Sequence, residues 1–126
     1  MKRIFIQVFS FWLLAVGLCV GVNAADTGQR FAEAQAKYDT KDYEGAINGY
    51  QSLLVDGHEG YALFYNLGNA HYRLDHIGEA VLYFEKAAKL SPYNKDVQFN
   101  LHLARQRVQD RFAEAPAFFL TRLWNG

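Results

Sequence analysis

Residues 61–94 read YALFYNLGNAHYRLDHIGEAVLYFEKAAKLSPYN, and they are the most informative part of the chain. Apolar residues recur at helical spacing in two runs, which are separated by a polar turn at residues 74–76 and closed by Pro92. Gly68 and Ala80 stand where the two helices would cross, because only small side chains let two helix backbones approach closely. The stretch therefore predicts a helical hairpin.

A similar pattern of the same length precedes this stretch. Residues 27–60 align with residues 61–94 without a gap, and residues 42–47 correspond to residues 76–81, where Ala46 matches Ala80 and Ile47 matches Val81. Self-similarity at a period of about 34 residues indicates a helical repeat array. The first unit matches less well, as expected of a terminal repeat. Gly57 is predicted to end its second helix in a left-handed conformation.

Seven residues of the second unit carry a resemblance to the tetratricopeptide repeat: Phe64, Leu67, Gly68, Ala80, Phe84, Ala87 and Pro92. His71 departs from the pattern, because the family usually has tyrosine or leucine at this place. The resemblance implies an all-α fold in which two hairpin repeats and a C-terminal capping helix stack into a right-handed superhelical array. It also implies that the concave face of the array binds a protein or peptide.

Residues 95–115 are predicted to form one more helix, which begins a third unit without a returning partner and so caps the array. His102 fits this interpretation, because it stands where a returning helix would need a small residue. Pro116 ends the helix. The apolar tail at residues 116–126 is too short to span a bilayer. Three alternatives stay open for this tail: it leads into a membrane segment outside this chain, lies on a membrane, or folds back onto the array.

Residues 1–24 have the layout of a secretory signal peptide. A basic start precedes an apolar stretch at residues 4–22, and small side chains stand at the positions that a signal peptidase inspects. The alternative is an uncleaved membrane anchor, since about 20 apolar residues can span a bilayer. Lipid attachment at Cys19 is disfavoured because Leu18 is large. Cleavage would leave a chain without cysteine, which suits an oxidising compartment such as the periplasm.

Composition narrows the classes of function. The 126 residues allow one small domain or a short repeat array. The 13 Lys and Arg balance 13 Asp and Glu, which removes the main argument for nucleic acid as the partner. Hydrophobic residues make up 51% of the chain, too many for a disordered tail. The single cysteine excludes a disulfide framework and a cysteine zinc site.

The sequence predicts no catalytic site. The four histidines lack a zinc-binding spacing and are expected at surface or groove positions; they are His58, His71, His76 and His102. No glycine loop has the spacing that cradles phosphate, and no nucleophile has a plausible base beside it. The prediction is a protein that is not an enzyme and needs no metal or cofactor.

The predicted functional site is a groove on the concave face, which the first helix of each unit lines. By the repeat spacing this face takes Phe31, Gln35, Tyr38 and Asp39 from the first unit, Tyr65, Asn69, Tyr72 and Arg73 from the second, and Phe99, Leu103, Gln106 and Arg107 from the cap. Aromatic rings supply contact area, and Asn69 with Arg73 can hold a backbone or a carboxylate. The alternative is that Tyr38 and Tyr72 only pack within the array. Some tetratricopeptide domains use basic residues to clamp the terminal carboxylate of a peptide. This chain has Phe31 and Gln35 at the positions of those basic residues.

A second, more specific resemblance involves residues 100–105 and 118–120 together with the signal peptide. These segments resemble the N-terminal part of BatE-type tetratricopeptide proteins of the bacterial aerotolerance (Bat) operon. The resemblance implies a role in a periplasmic or inner-membrane complex with other Bat proteins. Relatives of this kind continue into membrane-spanning segments, so the expectation is either that this chain is a fragment or that the membrane half of the family has been lost. Three hypotheses follow: an exported scaffold that holds a partner in its groove, an assembly helper for other envelope proteins, or a spacer for a membrane part.

Overall fold

The computed structural model describes residues 26–113. Within this range the chain forms five helices and no strand: α1 covers residues 26–39, α2 Tyr43–Val55, α3 Tyr61–Arg73, α4 Ile77–Leu90 and α5 Lys95–Ala113. The predicted all-α fold is confirmed. The predicted signal peptide and the apolar tail lie outside the described residues. No helix between residues 26 and 113 is both long and apolar enough to span a bilayer.

The helices pack largely in the order of the chain. α1 and α2 form one hairpin through a shared core, and α3 and α4 form the next. α2 packs on α3, α4 packs on α5, and α3 also touches α5. Packing of each element mainly on its neighbours is what a repeat array requires. The α3–α4 hairpin occupies the predicted second unit, and α5 occupies the predicted cap as far as Ala113.

Three helices end in the same backbone motif, in which the residue after the C-cap adopts a left-handed conformation. These residues are Lys41 with φ 67°, Gly57 with φ 84° and Asp75 with φ 63°. In each case the next amide donates to a carbonyl five residues earlier: Asp42 to Lys37 at 2.9 Å, His58 to Leu53 at 3.0 Å and His76 to His71 at 3.0 Å. The prediction for Gly57 is confirmed, and the same motif recurs at two residues that carry side chains.

Side-chain caps begin two of the helices. The Asp42 carboxylate accepts from the amide of Gly45 at 2.9 Å at the start of α2. The Asn94 side chain accepts from the amides of Asp96 and Val97 at 3.0 and 3.2 Å at the start of α5. Each cap satisfies amides that have no partner within the first turn of a helix.

The core consists of three clusters of buried apolar residues. The first joins α1, α2 and α3 and contains Ala34, Ala46, Ile47, Tyr50, Leu53, Leu63, Leu67 and Ala70. The second joins α4 to α5 and contains Ala80, Phe84, Leu101 and Ala104. The third joins α3, α4 and α5 through Phe64, Ala87 and Val97. On α5 the side opposite this core includes His102, which is exposed as predicted.

The close approach predicted at Gly68 occurs within the α3–α4 hairpin. A Cβ atom at Gly68 would lie 2.6 Å from the ring of Phe84, and the three nearest atoms all belong to that ring. Ala80 is fully buried in the cluster with Phe84, Leu101 and Ala104, against which Tyr65 and Tyr72 of α3 also pack. The ring of Phe84 on α4 therefore lies directly against Gly68 of α3, at the predicted crossing of the two helices.

Candidate functional site

A pocket of about 240 Å³ opens where the two hairpins and α5 meet. Its lining residues come from α1, α3, α4 and α5 and are Tyr38, Asn69, Tyr72, Arg73, Phe84, Asn100 and Leu103. Three aromatic rings and a leucine provide apolar surface, while two amides and one guanidinium provide polar groups. Apolar walls with a few convergent polar groups are the usual composition of a binding site.

Five of the residues predicted for the groove line this pocket, namely Tyr38, Asn69, Tyr72, Arg73 and Leu103. Phe84 and Asn100 also line it, and the sequence interpretation missed both as site residues. Phe84 was assigned to the core, and the structure places it in the core and at the pocket. The sequence does contain a signal for Asn100, because the same residue type, Asn66, stands one repeat period earlier in the chain.

The other predicted residues lie outside the lining, and several pack instead. Phe31 lies against Tyr50 with ring centroids 5.4 Å apart. Tyr65 lies between Tyr61 and Phe84, with centroid distances of 5.8 and 6.1 Å. Phe99 is 61% exposed, and Asp39 and Gln106 are exposed as well.

Arg107 belongs to an ion-pair cluster rather than to the free polar groups of the pocket. Its guanidinium lies 5.2 Å from the centroid of the Tyr72 ring and donates to Asp75 at 2.5 Å. Arg111 pairs with the same carboxylate. Arg107 and Arg111 thus share one carboxylate, that of Asp75, and these pairs tie α5 to the turn between α3 and α4.

Tyr38 and Tyr72 serve both of the roles that the sequence left open. Tyr38 packs against the first core cluster and lies edge-on to Tyr43 at 5.2 Å, and it also lines the pocket. Tyr72 packs against the second cluster beneath Arg107 and also lines the pocket. Packing holds these rings in place and leaves part of each available to a ligand.

A chain of amide hydrogen bonds links the first unit to α3. The Asn66 side chain donates to the Gln35 amide oxygen at 2.8 Å and to the Tyr50 hydroxyl at 3.2 Å. The Tyr50 hydroxyl donates to the same Gln35 oxygen at 2.8 Å, and burial raises the pKa of Tyr50, which keeps its proton in place. The Gln35 nitrogen then donates to the Asp39 carboxylate at 2.9 Å. This chain of donors therefore ends on a carboxylate.

The same chain recurs between the second unit and α5. The Asn100 nitrogen donates to the Asn69 oxygen at 3.0 Å and to the Tyr65 hydroxyl at 3.1 Å. Asn100 and Asn69 stand at the repeat positions of Asn66 and Gln35. The hydroxyl now comes from α3, since Tyr65 takes the place of Phe31 and Phe84 takes the place of Tyr50. Each unit therefore has one tyrosine in the pair of aromatic rings that its two helices bring together. This is Tyr50 beside Phe31 in the first unit and Tyr65 beside Phe84 in the second.

Arg73 is the one arginine among residues 26–113 that has no carboxylate partner. The others are paired: Arg30 with Asp56 at 2.7 Å, Arg105 with Glu85 at 2.9 Å, and Arg107 and Arg111 with Asp75. Arg73 makes a single long hydrogen bond to the Tyr38 hydroxyl at 3.5 Å. That bond raises the pKa of Arg73, so the guanidinium at the pocket stays charged.

His71 contradicts the expectation that every histidine occupies a surface or groove position. Its side chain is 6% exposed, and its ring stacks on Tyr83 with centroids 5.4 Å apart. Neither ring nitrogen has a hydrogen-bond partner in the part of the chain that the structure describes. Burial lowers the pKa of His71, so the ring is neutral. The residue is a core side chain, and it does not line the pocket.

Comparison with known protein families identifies the second hairpin. The model of the tetratricopeptide repeat matches residues 61–94, which span α3 and α4. This hairpin is a tetratricopeptide repeat, and such repeats suggest a scaffold for protein–protein interaction and indicate no catalytic family. No match was found among curated proteins. The assignment of residues 27–60 to the same repeat type stays a prediction.

Proposed function

We propose that this protein is a non-enzymatic scaffold that binds a segment of a partner protein in the pocket between α1, α3 and α5. The pocket is the observation that carries the proposal. Its volume of about 240 Å³ is below the roughly 300–1,000 Å³ of sites that enclose small molecules. A pocket of this size, open beside amide and guanidinium groups, suits one large side chain of a peptide that continues across the surface.

The aromatic residues support recognition of a protein rather than simple spacing of the helices. Tyr38 and Tyr72 both line the pocket, and core packing restricts the motion of their rings. Aromatic side chains that are already ordered lose little conformational entropy when a partner binds, and they are common among the residues that dominate interfaces. The arrangement therefore favours the scaffold over the spacer hypothesis.

We further propose that the protein acts after export, within a periplasmic or inner-membrane complex. The signal-peptide layout of residues 1–24 and the resemblance to BatE-type proteins support this proposal. Other Bat proteins are the first candidates for the partner, and an assembly role for other envelope proteins is the alternative. Fusion of alkaline phosphatase after Gly126 tests export. The fusion should be active in a bacterial host only while residues 1–24 are present.

Cross-linking in the envelope tests the pocket. The full-length chain should capture its partner, and the double change Tyr72→Ala with Arg73→Ala should abolish capture. The matched control is Tyr93→Ala with Lys89→Ala, which also removes an exposed tyrosine and a base but lies outside the pocket lining. Thermal unfolding of both variants checks that each remains folded. Equal capture by the two double variants would favour the spacer.

A further inference from the structure

The two units of the array differ at the point where their amide chains end. In the first unit the Gln35 nitrogen donates to the Asp39 carboxylate at 2.9 Å. The residues at the same repeat positions in the second unit are Asn69 and Arg73. A guanidinium carries donors and no acceptor, so Arg73 cannot accept the hydrogen bond that Asp39 accepts.

The second unit is therefore left with donors that lack an acceptor. The Asn69 oxygen is occupied by Asn100, which fixes the orientation of the amide and leaves its NH₂ group on the other side. Within residues 26–113 that NH₂ group has no hydrogen-bond acceptor. Arg73 contributes further N–H groups, of which only Nε has a partner, the Tyr38 hydroxyl. Both side chains line the same pocket.

Charge at the pocket points in the same direction. The nearby Arg107 pairs with Asp75, a carboxylate that it shares with Arg111, whereas Arg73 has no carboxylate in the described part of the chain. A ligand carboxylate would supply the acceptor for Asn69 and the counter-charge for Arg73 at once. Charge-assisted hydrogen bonds of this kind are about twice as strong as those between neutral groups.

We propose that the pocket binds a protein segment in which a carboxylate lies close to a large apolar side chain. The carboxylate takes the place in the second unit that Asp39 takes in the first, and it accepts from Asn69 and Arg73. The apolar side chain contacts Leu103 and the rings of Tyr38 and Tyr72, which are only partly buried. This inference rests on the proposed function, because it specifies the chemistry of the partner at the same pocket.

Selection from a displayed library of random peptides tests the inference on the full-length chain. Enriched peptides should carry an acidic residue within a few positions of a phenylalanine, tyrosine, tryptophan or leucine. Replacing that acid by its amide in a synthetic peptide should weaken binding by about tenfold or more, since hydrogen bonds to charged groups are stronger than those to neutral groups. Where the acid is the peptide's own C-terminus, amidation should have the same effect, which separates the two sources of carboxylate.

Two variants address the protein side of the same contact. Asn69→Asp keeps an oxygen that accepts from Asn100 but replaces the NH₂ donor by an acceptor of the same size. Arg73→Gln removes the charge. Each variant should bind the acidic peptides about tenfold or more weakly than the wild type does. Each should also show a smaller preference for the acid form of a peptide over its amide form. The matched control is Arg105→Gln, which removes an arginine that pairs with Glu85 outside the pocket and should leave affinity unchanged.

The outcomes separate this inference from the proposed function. The inference is supported if acidic peptides are enriched and if the Asn69→Asp variant binds those peptides more weakly than the wild type does. Enrichment of peptides without an acid, or equal binding of the acid and amide forms, overturns it while the scaffold function stands. Failure to enrich any peptide at the pocket overturns both. Circular dichroism of each variant confirms that the helices are intact.

Discussion

At the scale of single residues, His71 has a position that disfavours its charged form. Its ring is enclosed between Tyr83 and His76, with centroids 5.4 and 5.7 Å away. Neither nitrogen finds a partner among the described residues, so a proton on the ring would be buried without compensation. The negative charge of Glu79 raises the pKa of His71 and so partly opposes the effect of burial. The ring therefore behaves as an apolar spacer as long as it is neutral.

This burial predicts that stability falls in mild acid. Burial lowers the pKa of folded His71 below its ordinary value of 6.5, Glu79 partly opposes the shift, and His76 adds to it. The unfolded chain therefore takes up its proton first as the pH falls. The contribution of the neutral His71 ring to the free energy of unfolding is complete above a pH of about 6.5. It is lost as the pH falls below that value toward the pKa of His71 in the folded state.

Urea unfolding at a series of pH values measures this effect against the variant His71→Leu, which does not titrate. The wild-type free energy of unfolding should decrease more steeply than that of the variant, by at most about 1.4 kcal/mol per pH unit for one proton. The comparison removes contributions from other groups that both proteins share. Parallel profiles would show that His71 titrates equally in the folded and unfolded chains.

Ala80 carries a second prediction at the residue scale. It is fully buried in the cluster where α4 meets Leu101 and Ala104 of α5. Ala80→Leu should cost about 1–3 kcal/mol, because added volume in a packed core displaces its neighbours. Thermal unfolding measures the loss. Gly78→Ala is the control on the same helix, since a Cβ there meets no atom within 4 Å, and it should leave the melting temperature unchanged or slightly raised.

At the scale of elements, the ends of the helices depend on left-handed residues that glycine would occupy more easily. Lys41 has φ 67° and Asp75 has φ 63°, at equivalent positions of the two hairpin turns. A side chain in this conformation costs roughly 1–2 kcal/mol relative to right-handed backbone. Asp75 offsets part of this cost through its pairs with Arg107 and Arg111, whereas the Lys41 side chain makes no ion pair or hydrogen bond within the described residues.

The two turns should therefore respond differently to glycine. Lys41→Gly should raise the free energy of unfolding by up to about 1 kcal/mol, because relief of strain exceeds the added entropy of the unfolded chain. Asp75→Gly should give a smaller gain or a loss, since it also removes two ion pairs. Chemical denaturation of both variants measures the difference. Equal gains at the two turns would mean that the arginines contribute nothing to stability.

The elements themselves could be predicted because local residues set their ends. Pro92 and Asn94 mark the passage from α4 to α5, and Gly57 ends α2 in the left-handed conformation. The motif at Lys41 could not be predicted, because lysine does not favour that conformation. Aspartate adopts it more often than most residues, yet an aspartate in a polar turn does not by itself predict it for Asp75. At Lys41 the requirements of the hairpin override local preference.

The pocket could be predicted only in part, because the repeat spacing identifies a face but not the partners of its side chains. Asn69 and Arg73 lie where the spacing placed them. Arg107 was placed correctly on the face, yet Asp75 draws it into an ion pair. His71 was expected near solvent because of its polarity, whereas packing against Tyr83 buries it. Each difference arises from contacts between helices that a single segment does not reveal.

At the scale of the whole molecule, the array is held together by polar contacts as well as by its core. Amide pairs connect α1 to α3 and α3 to α5, from Asn66 to Gln35 and from Asn100 to Asn69. Each pair contacts one hydroxyl, which is Tyr50 in the first unit and Tyr65 in the second. These contacts align the first helices of successive units, and that alignment forms the pocket.

A double-mutant cycle tests whether the hydroxyl contributes from either helix. Tyr65→Phe should cost about 1 kcal/mol, because it removes an acceptor of the Asn100 side chain. Adding Phe84→Tyr reproduces the arrangement of the first unit and should recover part of that loss. Chemical denaturation of the two single variants and the double variant gives the coupling energy. Additive losses would show that the hydroxyl at residue 84 cannot reach the amide.

The tyrosine hydroxyl lies on the second helix of the first unit and on the first helix of the second unit. This difference limits which helices of the array can be combined into a new hairpin. A hybrid hairpin made of α1 with α4 would pair Phe31 with Phe84 and leave the adjoining asparagine without a phenol. The reciprocal hybrid of α3 with α2 would crowd the phenols of Tyr65 and Tyr50 into one interface. Half-repeats are therefore not interchangeable parts, and only intact hairpins can be transplanted, duplicated or deleted as modules.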